Sequence, residues 1–200
     1  MKEIQVLDKG YIKLLNVMGT DESITSNARI TTGSQNEDVK KLMNFLFKNK
    51  HLSPFEMAEV QFEVKAPIFV VRQWFRHRTA NILEKSGRYS ILEPEFYIPE
   101  VDYIIRSKIM DTCEHARYVY EKLVNNGTKA ELARIVLPLN TYTEFIWKID
   151  LRNLFHFLDM RNTRHAQFEI RKYAEAILSI LNEEFPVATT AYLNNKEIKQ

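Results

Sequence analysis

Two hundred residues, 45% of them hydrophobic, with 28 Lys and Arg against 26 Asp and Glu, make a chain of net charge +2. That balance suits one domain over residues 1–200 with its own core, and it excludes a broad nucleic-acid surface, which needs a clustered excess of basic residues. Cys113 is the only cysteine, the first residues lack the apolar core of a signal peptide, and no uncharged apolar run reaches the ~20 residues of a membrane span, so the expected setting is a reducing cytoplasm.

In chain order, residues 4–7 and 11–17 are aliphatic runs about an Asp8-Lys9-Gly10 turn signal and predict a hairpin or two edge strands. Asp21 or Ser23 is placed to cap a short helix through Arg29, and residues 37–49 set Val39, Leu42, Met43, Phe45, Leu46 and Phe47 at helical spacing. Pro54 ends that helix and suits the first turn of another, with Ser53 as N-cap and Glu56 closing a capping box. Residues 60–65 alternate apolar with polar or charged side chains, the pattern of a strand with one wet face. Pro67 then begins a helix expected to carry Gln73 through Arg78, and residues 89–99 read as an ordered loop with a short strand.

Residues 104–125 predict a long helix ended by Asn126-Gly127, and residues 129–137 a second one stopped by Pro138. Cys113 falls inside the first and reads as a packing residue, because nearby acids oppose thiolate formation. Residues 142–149 alternate again and predict a strand. Residues 152–160 form a short helix, and residues 166–184 a longer one with Ile170, Tyr173, Ala174, Ile177, Leu178 and Leu181 as its buried stripe. Residues 194–200 are polar and expected to fray.

The chemistry concentrates in residues 71–90, VRQWFRHRTANILEKSGRYS. Val70, Val71, Trp74 and Phe75 share one side of a helix, while Gln73, Arg76 and His77 share another. Arg78 lies about 200° round from Arg76 at roughly 100° per residue. Either the helix ends near His77, or its two sides serve different ligands or subunits. Ser86, Gly87 and Arg88 offer a hydroxyl, close backbone approach and a two-pronged guanidinium, a combination suited to a nucleotide phosphate. The histidines show no metal-ligand spacing, so no metal is expected, and there is neither a Gly-x-Gly-x-x-Gly nor a P-loop.

Arg76-His77-Arg78, seven residues, then Ser86 resembles the RHR-x7-S signature of the flavin-dependent thymidylate synthases. The likeness extends to Gln73-Trp74-Phe75, Gly87-Arg88-Tyr89, the His51-x-Ser53-Pro54-Phe55-Glu56 stretch, residues 133–140, and Leu151-Arg152-Asn153-Leu154 through Arg161. Asn81 stands where a serine is common, Leu83 where a polar residue is common, and Asp150 where an asparagine is frequent.

The resemblance implies an α+β fold, a central mixed or antiparallel sheet flanked by helices, that converts dUMP to dTMP with FAD as cofactor. Methylenetetrahydrofolate would be the one-carbon donor and NADPH the reductant. It implies flavin contacts from His51, Ser53, Arg76, His77, Arg78, Glu84, Asp150, Arg152 and His156. For dUMP it implies Gln73, Arg76, Glu84, Ser86, Gly87, Arg88, Arg134 and Arg161, with Arg161 facing the pyrimidine as the catalytic candidate. Like the family, the chain would be a homotetramer whose sites are shared between subunits. A nucleotide- or RNA-binding module that used residues 76–78 as a basic patch is the main rival reading, opposed by the low net charge and the apolar company of Trp74 and Phe75.

Overall fold

A computed structural model describes residues 2–32 and 38–196. Its centre is an antiparallel sheet built from β1 (Glu3–Val6), β2 (Gly10–Met18), β3 (Glu59–Pro67), β4 (Asn81–Glu84) and β5 (Tyr142–Asp150) in the order β1-β2-β3-β5-β4. The expected α+β class with an antiparallel sheet and flanking helices is what forms.

Alternation in the strands decides the two faces. Ile12, Val64 and Phe145 lie opposite one another, as do Leu14, Phe62 and Trp147, and all six are buried. That face takes α3 (Ile68–Trp74), α6 (Leu151–Arg161) and α7 (Phe168–Glu184). The other face is a polar ladder on which Tyr11 donates to Glu63 and Lys148 pairs with Glu59 at 3.0 Å. An extra residue in β2, Leu15, shifts the register before Asn16, which then reaches Gln61.

The first hairpin turns at Leu7, Asp8 and Lys9, one residue earlier than the sequence signal, with Leu7 in the left-handed region at φ 62°. Gly10 therefore begins β2. A Cβ there would lie 2.0 Å from the Tyr173 hydroxyl, which donates to the Lys65 carbonyl at 2.6 Å, so the close approach requires glycine.

Several helix ends differ from expectation. In α1 (Asp21–Thr32), Thr20 and Ser23 cap one another reciprocally, while Asp21 instead accepts the amides of Val187 and Ala188 and ties α1 to the start of α8 (Pro186–Asn195). α2 runs Val39–Lys48 from an Asp38 cap, and Glu37 lies outside the described residues. Ser53 caps nothing: Ser53–Met57 is a 3-10 turn following Leu52, and Glu56 pairs with Arg152 rather than closing a capping box. α4 (Tyr103–Asn125) ends as read, at Asn126 and a left-handed Gly127. The helix expected over residues 129–137 breaks into α5 (Ala130–Ala133) and a 3-10 turn, Arg134–Val136, whose tightening is completed by the bond from Leu137 N–H to the Arg134 carbonyl. Asn194 and Asn195 belong to α8, where Asn195 donates to Ala191; residues 197–200 lie outside the described residues. No helix among the described residues is long and apolar enough to cross a membrane.

Two aromatic clusters fix what matters for the site. Phe47, Phe55, Phe155 and Tyr192 lock the 3-10 turn to α2, α6 and α8. Trp74, the last residue of α3 and fully buried, meets Trp147 edge-on at 5.1 Å, Phe145 at 5.4 Å and Tyr173 at 5.6 Å, and leans on Phe157. Trp74→Ala should lower unfolding stability by about 3–5 kcal/mol, the range for emptying such a site, as read by urea titration. A loss below about 1 kcal/mol would show that Trp74 does not anchor the helix end.

Candidate active site

The chain enters α3 from β3 through Pro67, and the amides of Ile68 and Phe69 bond to the carbonyls of Thr141 and Leu139, which fixes the helix against the start of β5. The helix ends at Trp74, short of the Arg78 it was expected to carry and before the alternative end near His77. The His77 amide bonds to the Trp74 carbonyl at 3.0 Å, a three-residue closure that tightens the turn and releases Arg76, His77 and Arg78 from helical geometry. This resolves the question posed by Arg76 and Arg78: the helix stops before either, and an irregular segment presents both to solvent.

His77 turns inward. Its ring lies 4.9 Å from Phe157 and 5.9 Å from His156, both on α6. From the last turn of α6, Arg161 donates through Nε to His77 Nε2 at 3.1 Å and through Nη2 to the Gln73 carbonyl at 3.0 Å, and the Gln73 side chain donates to Gln167. A ring nitrogen that accepts from a guanidinium belongs to a neutral imidazole with its proton on Nδ1. Burial, the Arg161 charge and His156 together hold the His77 pKa down to about 4. Burial and the neighbouring Arg76 lower that of Arg161. Among the described residues no carboxylate pairs with Arg76, Arg78 or Arg161. A half-buried cationic cluster without an acid is an arrangement that an anionic ligand completes.

A second group lies at a cavity of about 490 Å³ bounded by the end of β4, the start of β5, the segment that follows β4 and the segment that precedes β5. Glu84, Gly87 and Arg134 line it, along with Lys65, Lys85, Glu93, Glu95 and Glu144. Glu84 accepts from Thr143 at 2.9 Å. Ser86 accepts the Arg88 amide at 3.3 Å, an ST-type turn, and Arg88 Nε meets Glu131 at 3.3 Å. Gly87 is buried, and a Cβ there would sit 3.0 Å from Leu92 and 3.3–3.4 Å from the Arg134 side chain, so its smallness lets Arg134 lie across the turn. Arg134 has no carboxylate partner among the described residues.

The remaining expected residues form a third group. His51 packs edge-on against Phe45 at 5.8 Å, Ser53 opens the 3-10 turn, and Arg152 is held by Glu56. Asp150 caps α6, accepting from the Asn153 amide at 3.0 Å and its side chain at 2.7 Å. The fold thus joins Gln73, Arg76, His77, His156 and Arg161 in one cluster and Glu84, Ser86, Gly87, Arg88 and Arg134 in another. No side-chain hydrogen bond or ion pair among the described residues links the two. Strand alternation already put Lys65 and Glu144 on one face, whereas nothing in the sequence marked Glu131, whose element was read as part of a longer helix.

A family model described as "Thymidylate synthase complementing protein" matches residues 13–187. The chain belongs to that family. Its relatives include the flavin-dependent thymidylate synthases of Ehrlichia ruminantium (strain Gardel), 44% identical over 96% of this chain and 73% of the relative, and of Thermus thermophilus, 46% identical over 94% and 77%. Among solved structures, the UMP/dUMP methylase PolB from Streptomyces cacaoi, bound with 5-Br dUMP, superposes with a TM-score of 0.89 at 29% identity, covering 98% of this chain and all of that one. The RHR-x7-S spacing thus marks the family to which the chain belongs.

His77 gives the cluster a pH signature. Its pKa is lowered on folding, so its neutral form contributes stability above pH 6.5 that is lost as the pH falls toward about 4, because the unfolded chain takes up the proton first. In imidazole NMR spectra of the free protein, His77 should remain neutral at pH 6, and an anion bound beside Arg161 should raise its pKa. Titration near 6.5 would mean that His77 is not held against Arg161.

Proposed function

We propose that this chain is an FAD-dependent thymidylate synthase that methylates dUMP to dTMP, with methylenetetrahydrofolate as one-carbon donor and NADPH as reductant. What supports it most is the acid-free cluster of Arg76, His77, His156 and Arg161 in a chain of this family, which also carries a nucleotide-sized cavity edged by Gly87 and Arg134.

The donor set fits FAD. A dinucleotide brings an anionic pyrophosphate, and Arg76 and Arg78 are exposed guanidiniums free of ion pairs among the described residues. His77 and His156 offer flat imidazole surfaces. His51, Ser53, Glu84, Asp150 and Arg152 complete the proposed flavin set, although Asp150 and Arg152 must keep or exchange the partners they have. When bound, the flavin supplies two-electron redox chemistry, which the reaction requires because a methylene carbon sits one two-electron reduction above a methyl group.

For dUMP, Ser86, Gly87, Arg88 and Arg134 hold the phosphate, with Gln73, Arg76, Glu84 and Arg161 toward the nucleoside. Arg161 is fixed by its bonds to His77 and the Gln73 carbonyl, which leave Nη1 without a protein partner among the described residues. A guanidinium held this way stabilises negative charge developing on the pyrimidine and needs no reorganisation during the step. Arg161 is thus the catalytic residue of the proposal. Ser86 binds and does not attack, since among the described residues no base is hydrogen-bonded to its hydroxyl; its partners are the Arg88 amide and, through its carbonyl, Ser90.

The two residue clusters meet in one active site most simply if different subunits supply them, as in a homotetramer. The protein would act as a single domain over residues 1–200 in the cytoplasm, where its diffusible substrates reside.

The test is dUMP-dependent NADPH oxidation with dTMP as product, in the purified protein carrying its yellow flavin. Arg161→Ala should reduce turnover by roughly 10²–10³, the loss for removing one preorganised donor, while circular dichroism stays native. Unchanged turnover in a folded variant would remove Arg161 from the mechanism, and a colourless protein indifferent to dUMP would overturn the function.

A further inference from the structure

α5 and the 3-10 turn after it set two opposite charges three residues apart, Glu131 and Arg134, against the same Ser86-Gly87-Arg88 turn. Arg134 lies across Gly87 with no acidic partner among the described residues. Glu131 meets Arg88 at 3.3 Å, and the two side chains remain 39% and 55% exposed. The Ser86 hydroxyl is also occupied, accepting the Arg88 amide. Two of the three groups best suited to a phosphate are thus engaged with the protein itself, one of them by a carboxylate carrying the same sign of charge as the ligand.

We propose that Glu131 is a positioning residue that occupies the phosphate place on Arg88 in the free enzyme and is displaced when a nucleoside monophosphate enters. This rests on the reading that Arg88 holds the dUMP phosphate. A carboxylate and a phosphate both accept from the guanidinium fork, but a dianionic monoester also draws on Arg134 and on the Gly87 turn, which the single carboxylate does not reach. Substrate therefore wins the exchange, at the expense of one partly exposed ion pair. Until then Glu131 keeps the Arg88 side chain ordered and screens it from smaller anions that cannot span both arginines. The cavity is already rich in acid, with Glu84, Glu93, Glu95 and Glu144 against Lys65, Lys85 and Arg134, so releasing Arg88 changes the local charge balance in the direction a dianion needs.

The experiment compares wild type, Glu131→Gln, Arg88→Ala and the double variant as flavin-loaded enzymes. It measures the KM for dUMP and kcat, and by calorimetry the Kd for dUMP, for deoxyuridine and for inorganic phosphate. Glu131→Gln should lower the KM and Kd for dUMP about two- to fivefold, the range for one exposed ion pair, and tighten inorganic phosphate similarly. It should leave the Kd for deoxyuridine and kcat as they were. In the Arg88→Ala background the same change should do nothing. A Glu131→Gln enzyme with weaker or unchanged dUMP binding overturns the inference, as does an equal effect on deoxyuridine or an effect that survives loss of Arg88. If Arg88→Ala itself leaves dUMP affinity unaltered, the phosphate assignment falls first, and that result is separable because it does not involve Glu131.

Discussion

The structure depends on how α3 ends. Trp74 is driven into a ring of Phe145, Trp147, Phe157 and Tyr173, and the helix halts there, with Phe75 still leaning on Phe145 and Arg76 already exposed. Because the same aromatic floor receives α6, Phe157 and His156 come up beside His77, and Arg161 one turn later reaches both His77 and the Gln73 carbonyl. Hydrophobic packing thus forces cationic groups together where few carboxylates can follow. The charge left without a carboxylate partner among the described residues is a property of the fold, and the proposed anionic ligand would neutralise it.

Two electrostatic environments result. Around His77 the guanidiniums have no acidic partner among the described residues, so binding meets little internal competition. Around Gly87 the cavity contains several acids, and Arg88 is held by Glu131. A tightly retained cofactor suits the first environment and an exchanging substrate the second, since a cofactor must stay through many turnovers whereas a substrate must come and go. The polar ladder on the open face of the sheet, where Lys65 pairs with Glu95 and Lys85 with Glu144, forms part of the second environment's wall and keeps that wall hydrophilic.

Much of this was legible from residues alone. The two alternating stretches became β3 and β5, Asn126-Gly127 ended α4, and the spacing of residues 76–78 from Ser86 pointed to the right family. What was not legible has physical reasons. β4 is four exposed residues whose strand character comes only from pairing with β5, so no local pattern announces it. Asp21 satisfies a helix start 166 positions away, which no local capping rule can foresee. Ser53 and Glu56 carry local capping signals, but tertiary partners overrode them: Glu56 turned to Arg152, and the chain at Ser53 tightened to a 3-10 turn. The meeting of Arg161 with His77 joins residues 84 positions apart and follows from Trp74 packing against Phe157, visible only once the helices are placed.

The most direct test of the central claim is a crystal structure of the protein with FAD and dUMP both bound. The flavin pyrophosphate should lie against Arg76 and Arg78, Arg161 beside the pyrimidine, and the uridylate phosphate on Arg88 and Arg134 in place of Glu131. Both ligands bound elsewhere, with those guanidiniums turned to protein carboxylates, would contradict it.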